Sequence, residues 1–111
     1  MEVAAALPAA WMQAVELFGV HLRDERMLAE LTVAAYLRDA RQLAGFCAGF
    51  GMDGPAQVEP LVLRRWLGEL VDEGYARASL ARKTSAVRGW FALLHRRGLV
   101  DRDPALHLGT P

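Results

Sequence analysis

Basic side chains that could bind phosphate are concentrated between residues 76 and 98, ARASLARKTSAVRGWFALLHRRG. This segment contains no acid and six basic residues: Arg77, Arg82, Lys83, Arg88, Arg96 and Arg97. Guanidinium and ammonium groups donate charge-assisted hydrogen bonds to phosphate oxygens. The segment therefore indicates nucleic-acid binding, although most runs of charge on a helix are simply solvated.

The same segment has the periodicity of an amphipathic helix. One stripe recurs at steps of four and three residues: Leu80, Thr84, Val87, Phe91 and Leu94. At ~100° per residue, the opposite face is basic and otherwise small: Arg82, Ser85, Ala86, Gly89 and Arg96. Because small side chains let a partner approach, and because the B-DNA major groove admits an α-helix, this face is predicted to meet DNA.

The second and fourth predicted helices share an arrangement of hydroxyl and basic residues. Thr32 and Ser79 each fall in a first turn, where free N–H groups and partial positive charge favour phosphate. Basic residues follow on the predicted outward faces: Arg38 and Arg41 in one helix, Arg82 and Lys83 in the other. The alternative interpretation is that the two hydroxyls cap their own helices.

No group of residues has the spacing of a catalytic or metal site. His21, His95 and His107 are far apart and lack the i, i+4 partners of helical metal sites. We predict no catalytic residue, no metal ligand, no cofactor and no small-molecule substrate. Cys47, the only cysteine, falls on an apolar face and is predicted to pack in the core.

The aromatic residues are predicted to be core, with one exception. The core spacings are those of Trp11, Phe18, Tyr36, Trp66 and Phe91. Trp90 lies off the centre of its stripe, so it could contact DNA or a neighbouring subunit, and partial burial is expected.

Periodicity predicts four main helices and no strand. The first covers residues 9–24, the second 30–50, the third begins at Pro60 and ends near Gly74, and the fourth covers 76–98. Asp103 and Pro104 begin a turn or a possible short fifth helix. The predicted fold is an all-α compact bundle of four main helices.

The length and the net charge of the chain restrict the number of domains and the way in which it could bind a partner. The 111 residues suit one domain, and the formal net charge is zero, which counts against binding by bulk charge. The charge is polarised, with five acids and two bases before Leu31 but eleven bases and eight acids from there on.

The N-terminus carries Glu2 and no positive leader region, and no apolar run approaches the ~18 residues of a membrane span. The chain is predicted to be soluble and cytoplasmic, with no membrane partner.

Several motifs resemble the N-terminal core-binding domain of tyrosine recombinases of the XerC/XerD type. The run LAELTVAAYLRDARQLAGF looks like that family's LSxxTxxAYxxDLxxF signature. Elements similar to WLxxLxxxG, SLARxxSAxRxFFxxLxxxG and NPAxxL follow in the family's order. The resemblance covers nearly the whole chain after Trp11.

The resemblance implies a SAM-like helical domain that forms half of a C-shaped clamp on double-stranded DNA at a recombination half-site. It implies DNA contacts by residues of the second and fourth helices: Thr32, Arg38, Arg41, Arg77, Ser79, Arg82, Lys83 and Arg88. Arg82 or Lys83 is expected to reach a base edge, and the other contacts are expected to be to phosphates. The partners implied are DNA and other recombinase subunits, with the first helix a candidate subunit contact.

The resemblance also implies that catalysis belongs elsewhere. The family's catalytic arginines, lysine and tyrosine nucleophile lie in a C-terminal domain, which is absent from residues 1–111, so this chain by itself is not predicted to be an enzyme. The parent would act in DNA integration, recombination and chromosome dimer resolution. Ala29 and Ala76 stand where the family often has a serine. The alternatives are an integrase of a phage or transposon, or a helical protein–protein interaction module.

Overall fold

The computed structural model describes residues 6–111. Its helices are α1 (Ala9–Val20), α2 (Glu30–Gly49), α3 (Pro60–Asp72) and α4 (Arg77–Arg96). A π-helical turn, His21–Glu25, continues α1, and a 3-10 turn, Pro55–Gln57, precedes α3. No strand occurs in this range, so the predicted all-α fold with four main helices is confirmed. Glu2, on which the prediction about a leader partly rests, lies outside the described residues.

The helices begin and end where local sequence signals predict. Pro60 is the first residue of α3, where its missing N–H is of no consequence. Three helices are followed by a glycine with positive φ, at Gly51, Gly74 and Gly98. After α4, the Gly98 N–H bonds to the His95 carbonyl at 3.0 Å and the Leu99 N–H to the Leu94 carbonyl at 2.9 Å. This pair of bonds is a Schellman motif, which needs a left-handed residue.

The possible fifth helix is a pair of turns in the structure. The Asp103 Oδ1 accepts the Ala105 N–H at 2.9 Å, and the Leu108 N–H reaches the Ala105 carbonyl at 3.0 Å. The Asp103 side chain accepts from the second residue after it, as in an Asx turn, and the backbone bonds that follow join residues three apart, so only turns form.

The core lies where α4 packs against the other three helices, most extensively against α2. Trp11, Trp66 and Trp90 are all at most 1 % exposed. The Trp90 indole N–H donates to the Ala14 carbonyl of α1 at 2.9 Å, and its ring lies 5.8 Å from that of Trp11. The predicted partial exposure of Trp90 is therefore wrong, because α1 covers the side of α4 beside the stripe.

Candidate nucleic-acid interface

The first turns of α2 and α4 share two features but differ in charge, since α2 begins with Glu30 and α4 with Arg77. Each helix follows an extended alanine, Ala29 or Ala76, that offers no capping side chain. Thr32 and Ser79 each occupy the third helical position, and no hydrogen bond of either hydroxyl occurs among the described residues. The capping alternative is therefore not observed. The first N–H groups of a helix have no partner within it, so both termini present donors to a ligand.

Exposed arginines lie on the same two helices. Arg38 and Arg41 of α2 are exposed, as are Arg77 and Arg88 of α4. None of the four is in an ion pair within residues 6–111. Arg41 lines a groove between α1 and α2 beside Glu16 and Arg23, and α2 also carries Glu30 in its first turn. Since α4 contains no acid, its exposed arginines carry unneutralised positive charge despite the neutral chain.

A buried acid of α2, Asp39, organises the basic residues between the helices. Asp39 is 0 % exposed. Its Oδ2 accepts from Arg82 Nε and its Oδ1 from Arg82 Nη2, each at 2.9 Å. The Oδ1 also accepts from Lys83 Nζ at 2.9 Å. Asp39 was not predicted to be a site residue, although it lies in the run LAELTVAAYLRDARQLAGF that carries the family resemblance.

Lys83 lies inside the structure and not on the outward face. Only 5 % of the residue is exposed, and its ammonium also donates to Gln42 Oε1 at 2.6 Å and lies 5.0 Å from the centre of the Tyr75 ring. The predicted outward position is wrong because Lys83 lies three residues after Leu80 and four before Val87, both buried, and so shares their side of the helix.

Ala86 corrects the predicted face of α4 in the same way. It was predicted to point outward but is 1 % exposed. Because α4 contacts α1, α2 and α3, its buried face is wider than a single stripe. The outward face is correspondingly narrower and retains Arg82 at its edge, with Ser85 and Arg88 exposed.

Arg82 keeps both a fixed position and free donors. Its hydrogen bond to Asp39 raises the pKa of the guanidinium above its ordinary value, so the group stays charged. The side chain is 36 % exposed. Two of the five guanidinium N–H groups are used by Asp39, which leaves three for a ligand.

Other features of the described residues lie away from this surface. A groove of about 890 Å³ separates α3 from the C-terminal turns, lined by Arg64, Leu67, His95 and Leu106 among others. No three His, Cys, Asp or Glu side chains in residues 6–111 are grouped so that they could hold a metal ion. Within the same residues, no helix has the length and apolarity needed to cross a membrane.

Comparison with known families decides the assignment of the fold. Residues 15–98 match the model of the phage integrase N-terminal SAM-like domain. The chain belongs to this family. The match covers all of α2, α3 and α4, so this SAM-like domain includes both helices of the candidate interface. No solved structure was found to match the chain.

Curated relatives of this SAM-like domain are named tyrosine recombinase XerC. The protein of Pseudomonas putida (strain W619) is 37 % identical over 97 residues, which are 87 % of this chain and 32 % of the relative. The protein of Pelobacter propionicus is 40 % identical over 102 residues, 90 % of this chain and 33 % of the relative. The chain therefore spans about a third of the length of these relatives.

Proposed function

We propose that this domain is the DNA-binding domain of a site-specific tyrosine recombinase, and that α2 and α4 together grip a recombination half-site. The observation that carries the proposal is that α2 and α4 pack on each other, and that each has a first turn without a side-chain cap and exposed arginines that pair with no acid in residues 6–111. The family supports it, since relatives over most of the chain are named as recombinases.

The proposed contacts follow from the position of each side chain. Arg38, Arg77 and Arg88 neutralise phosphates, and Arg41 does so from the side of α2 next to α1; these contacts fix the register of the domain on the duplex. The hydroxyls of Thr32 and Ser79, with the N–H groups of their first turns, bind further phosphate oxygens. Arg82, whose guanidinium is held by Asp39, contacts a base edge in the major groove.

In the parent protein, this domain would be half of a C-shaped clamp, and another domain would cut and rejoin the DNA through a tyrosine nucleophile. The XerC relatives favour a role in resolving chromosome dimers, in the cytoplasm of a bacterium and beside other recombinase subunits. An integrase of a phage or transposon is the alternative within the same chemistry.

Fluorescence anisotropy with a duplex that carries a Xer-type half-site tests the proposal. The variant Arg38→Gln/Arg88→Gln removes one exposed charge from each helix of the interface. Arg64→Gln/Arg65→Gln is a matched control, because both arginines are exposed on α3 and the change in net charge is the same.

Each phosphate contact contributes about 0.9 to the slope of log K against log salt concentration. We expect the interface variant to lower the magnitude of the slope by about 1.8, and the α3 variant to leave it unchanged. Equal binding to a scrambled duplex would retain DNA binding but remove half-site recognition. Equal effects of the two variants, or no binding by the folded wild type at low salt, would contradict the proposal and favour a protein–protein interaction module.

A further inference from the structure

Lys83 is the only lysine in a chain that otherwise uses arginine, with one lysine among 13 basic residues. It is also the only basic residue among the buried ones in residues 6–111. An ammonium is a compact group with three donors, whereas a guanidinium is a planar fork. The buried position between α2 and α4 is therefore occupied by lysine, whose compact ammonium fits a small polar site.

The surroundings of Lys83 hold its ammonium by two hydrogen bonds and one cation–π contact. Asp39 Oδ1 and Gln42 Oε1 accept two hydrogen bonds, at 2.9 and 2.6 Å, and the Tyr75 ring covers the group at 5.0 Å. Gln42 Nε2 in turn donates to the Tyr75 hydroxyl at 3.0 Å. The network therefore joins α2, α4 and the turn between α3 and α4.

The same network fixes the position of the Arg82 side chain. Asp39 engages Arg82 by two parallel hydrogen bonds and is itself held by Lys83. Moving Lys83 to a DNA phosphate would leave Asp39, which is fully buried, with one partner in place of two. Because this move would break a buried ion pair that Arg82 only partly replaces, it has an energetic cost, and we expect Lys83 to stay inside.

We propose that Asp39 and Lys83 are positioning residues for Arg82. Of the two adjacent basic residues, Arg82 contacts DNA and Lys83 does not. The inference rests on the proposed function, because it concerns how the same surface is prepared for a duplex. A guanidinium already held in place loses less side-chain entropy when it binds than a free one does. The network thus preorganises Arg82 for contact in the absence of DNA.

The position of Lys83 is tested by reductive methylation, since the only primary amines of the chain are the N-terminus and Lys83. Mass spectrometry of peptides from the native protein should show modification at the N-terminus and a rate at Lys83 at least about tenfold below that of Lys83 in urea, because opening the network requires breaking a buried ion pair. In urea both amines should react, and adding the half-site duplex should leave Lys83 unchanged. A Lys83 that reacts like the N-terminus and becomes protected by DNA would overturn the proposal.

The role of Asp39 is tested by a double-mutant cycle on half-site affinity with Asp39→Asn and Arg82→Ala. If Asp39 acts through Arg82, Asp39→Asn should weaken binding about tenfold in the wild-type background, the size expected for one directed contact, and have no further effect in the Arg82→Ala background. Equal losses in both backgrounds would indicate a merely structural role and overturn the proposal.

Arg82→Lys gives a second test that keeps the buried acid and its contact with Lys83. This variant keeps the charge but loses the two-point contact, and Arg88→Lys is its control on the same helix. Weaker half-site binding for Arg82→Lys alone supports the proposal, and equal behaviour of the two variants overturns it. Failure of the wild type to bind any duplex would instead refute the proposed function, whereas Lys83 protection would still report the buried network.

Discussion

Lys83 Nζ of α4 lies 2.9 Å from Asp39 Oδ1 of α2, in a pair whose side chains are only 7 % and 1 % exposed. Arg82 contacts the other side of the same carboxylate. One buried acid therefore joins the two helices that form the candidate interface, and the stability of the domain and the geometry of its DNA-binding surface depend on the same contacts.

Removing the acid should cost more stability than removing the buried base. Asp39→Ala leaves the Lys83 ammonium buried without a counter-charge, and we expect a loss of about 3–5 kcal/mol. Lys83→Met keeps the contact between Asp39 and Arg82 and fills a similar volume, so the expected loss is below about 2 kcal/mol. Urea denaturation of the two variants measures the difference, and equal losses would show that Arg82 does not compensate the buried carboxylate.

Gly89, inside α4, and Gly98, which follows α4, should respond in opposite directions to alanine. Gly89 lies inside the helix with open space where a Cβ would be, so Gly89→Ala should raise the free energy of unfolding by about 1 kcal/mol. Gly98 has φ of 74°, a left-handed conformation that alanine adopts at a cost of roughly 1 kcal/mol. Thermal denaturation that moves both variants in the same direction would contradict this account of the helix and its end.

The Cys47 thiol should be inert in the folded protein. The residue is fully buried, and this burial raises the pKa of the thiol to about 12. Since the thiolate is the reactive form, reaction with a thiol-specific disulfide reagent at neutral pH should occur only when the protein opens around Cys47. The rate should rise steeply on addition of urea, and a fast reaction in native buffer would show that α2 is not packed as described.

Glu25 should contribute to stability only above acidic pH. A hydrogen bond from His21, at 2.8 Å in the π-helical turn, lowers the pKa of the Glu25 carboxyl below its ordinary value of 4.5. The contribution is therefore complete above the unfolded pKa and is lost as the pH falls through the lower folded value. A carbon-detected NMR titration should show a midpoint below 4.5 for Glu25, and His21→Ala should return it upward. A midpoint at or above the ordinary value would exclude the contact in solution.

The helices could be predicted from sequence because their signals are local. The periodicity of residues 76–98 indicated α4, which the structure places at Arg77–Arg96, and Pro60 and Gly98 mark ends by conformation alone. The π-helical turn at His21–Glu25 was read as helix without its change of type, since one turn shifts the apolar pattern too little to be detected.

The arrangement around Asp39 could not be predicted in this way. A helical wheel shows one stripe, whereas α4 packs against three helices, and Lys83, Ala86 and Trp90 are buried by neighbours that are distant in sequence. The pairing of Asp39 with Arg82 joins residues 43 positions apart, so only the tertiary fold reveals it. The sequence-based hypothesis that α2 and α4 share one DNA-binding surface stays a prediction.

An NMR titration of the ¹⁵N-labelled domain with the half-site duplex tests that central claim most directly. The account predicts that amide shifts concentrate on the first turns and outward faces of α2 and α4, around Thr32, Arg38, Ser79, Arg82 and Arg88, and that α3 stays unperturbed. Amide shifts centred on α3 and the C-terminal turns, with no shifts in α2 and α4, would contradict the claim that α2 and α4 bind DNA.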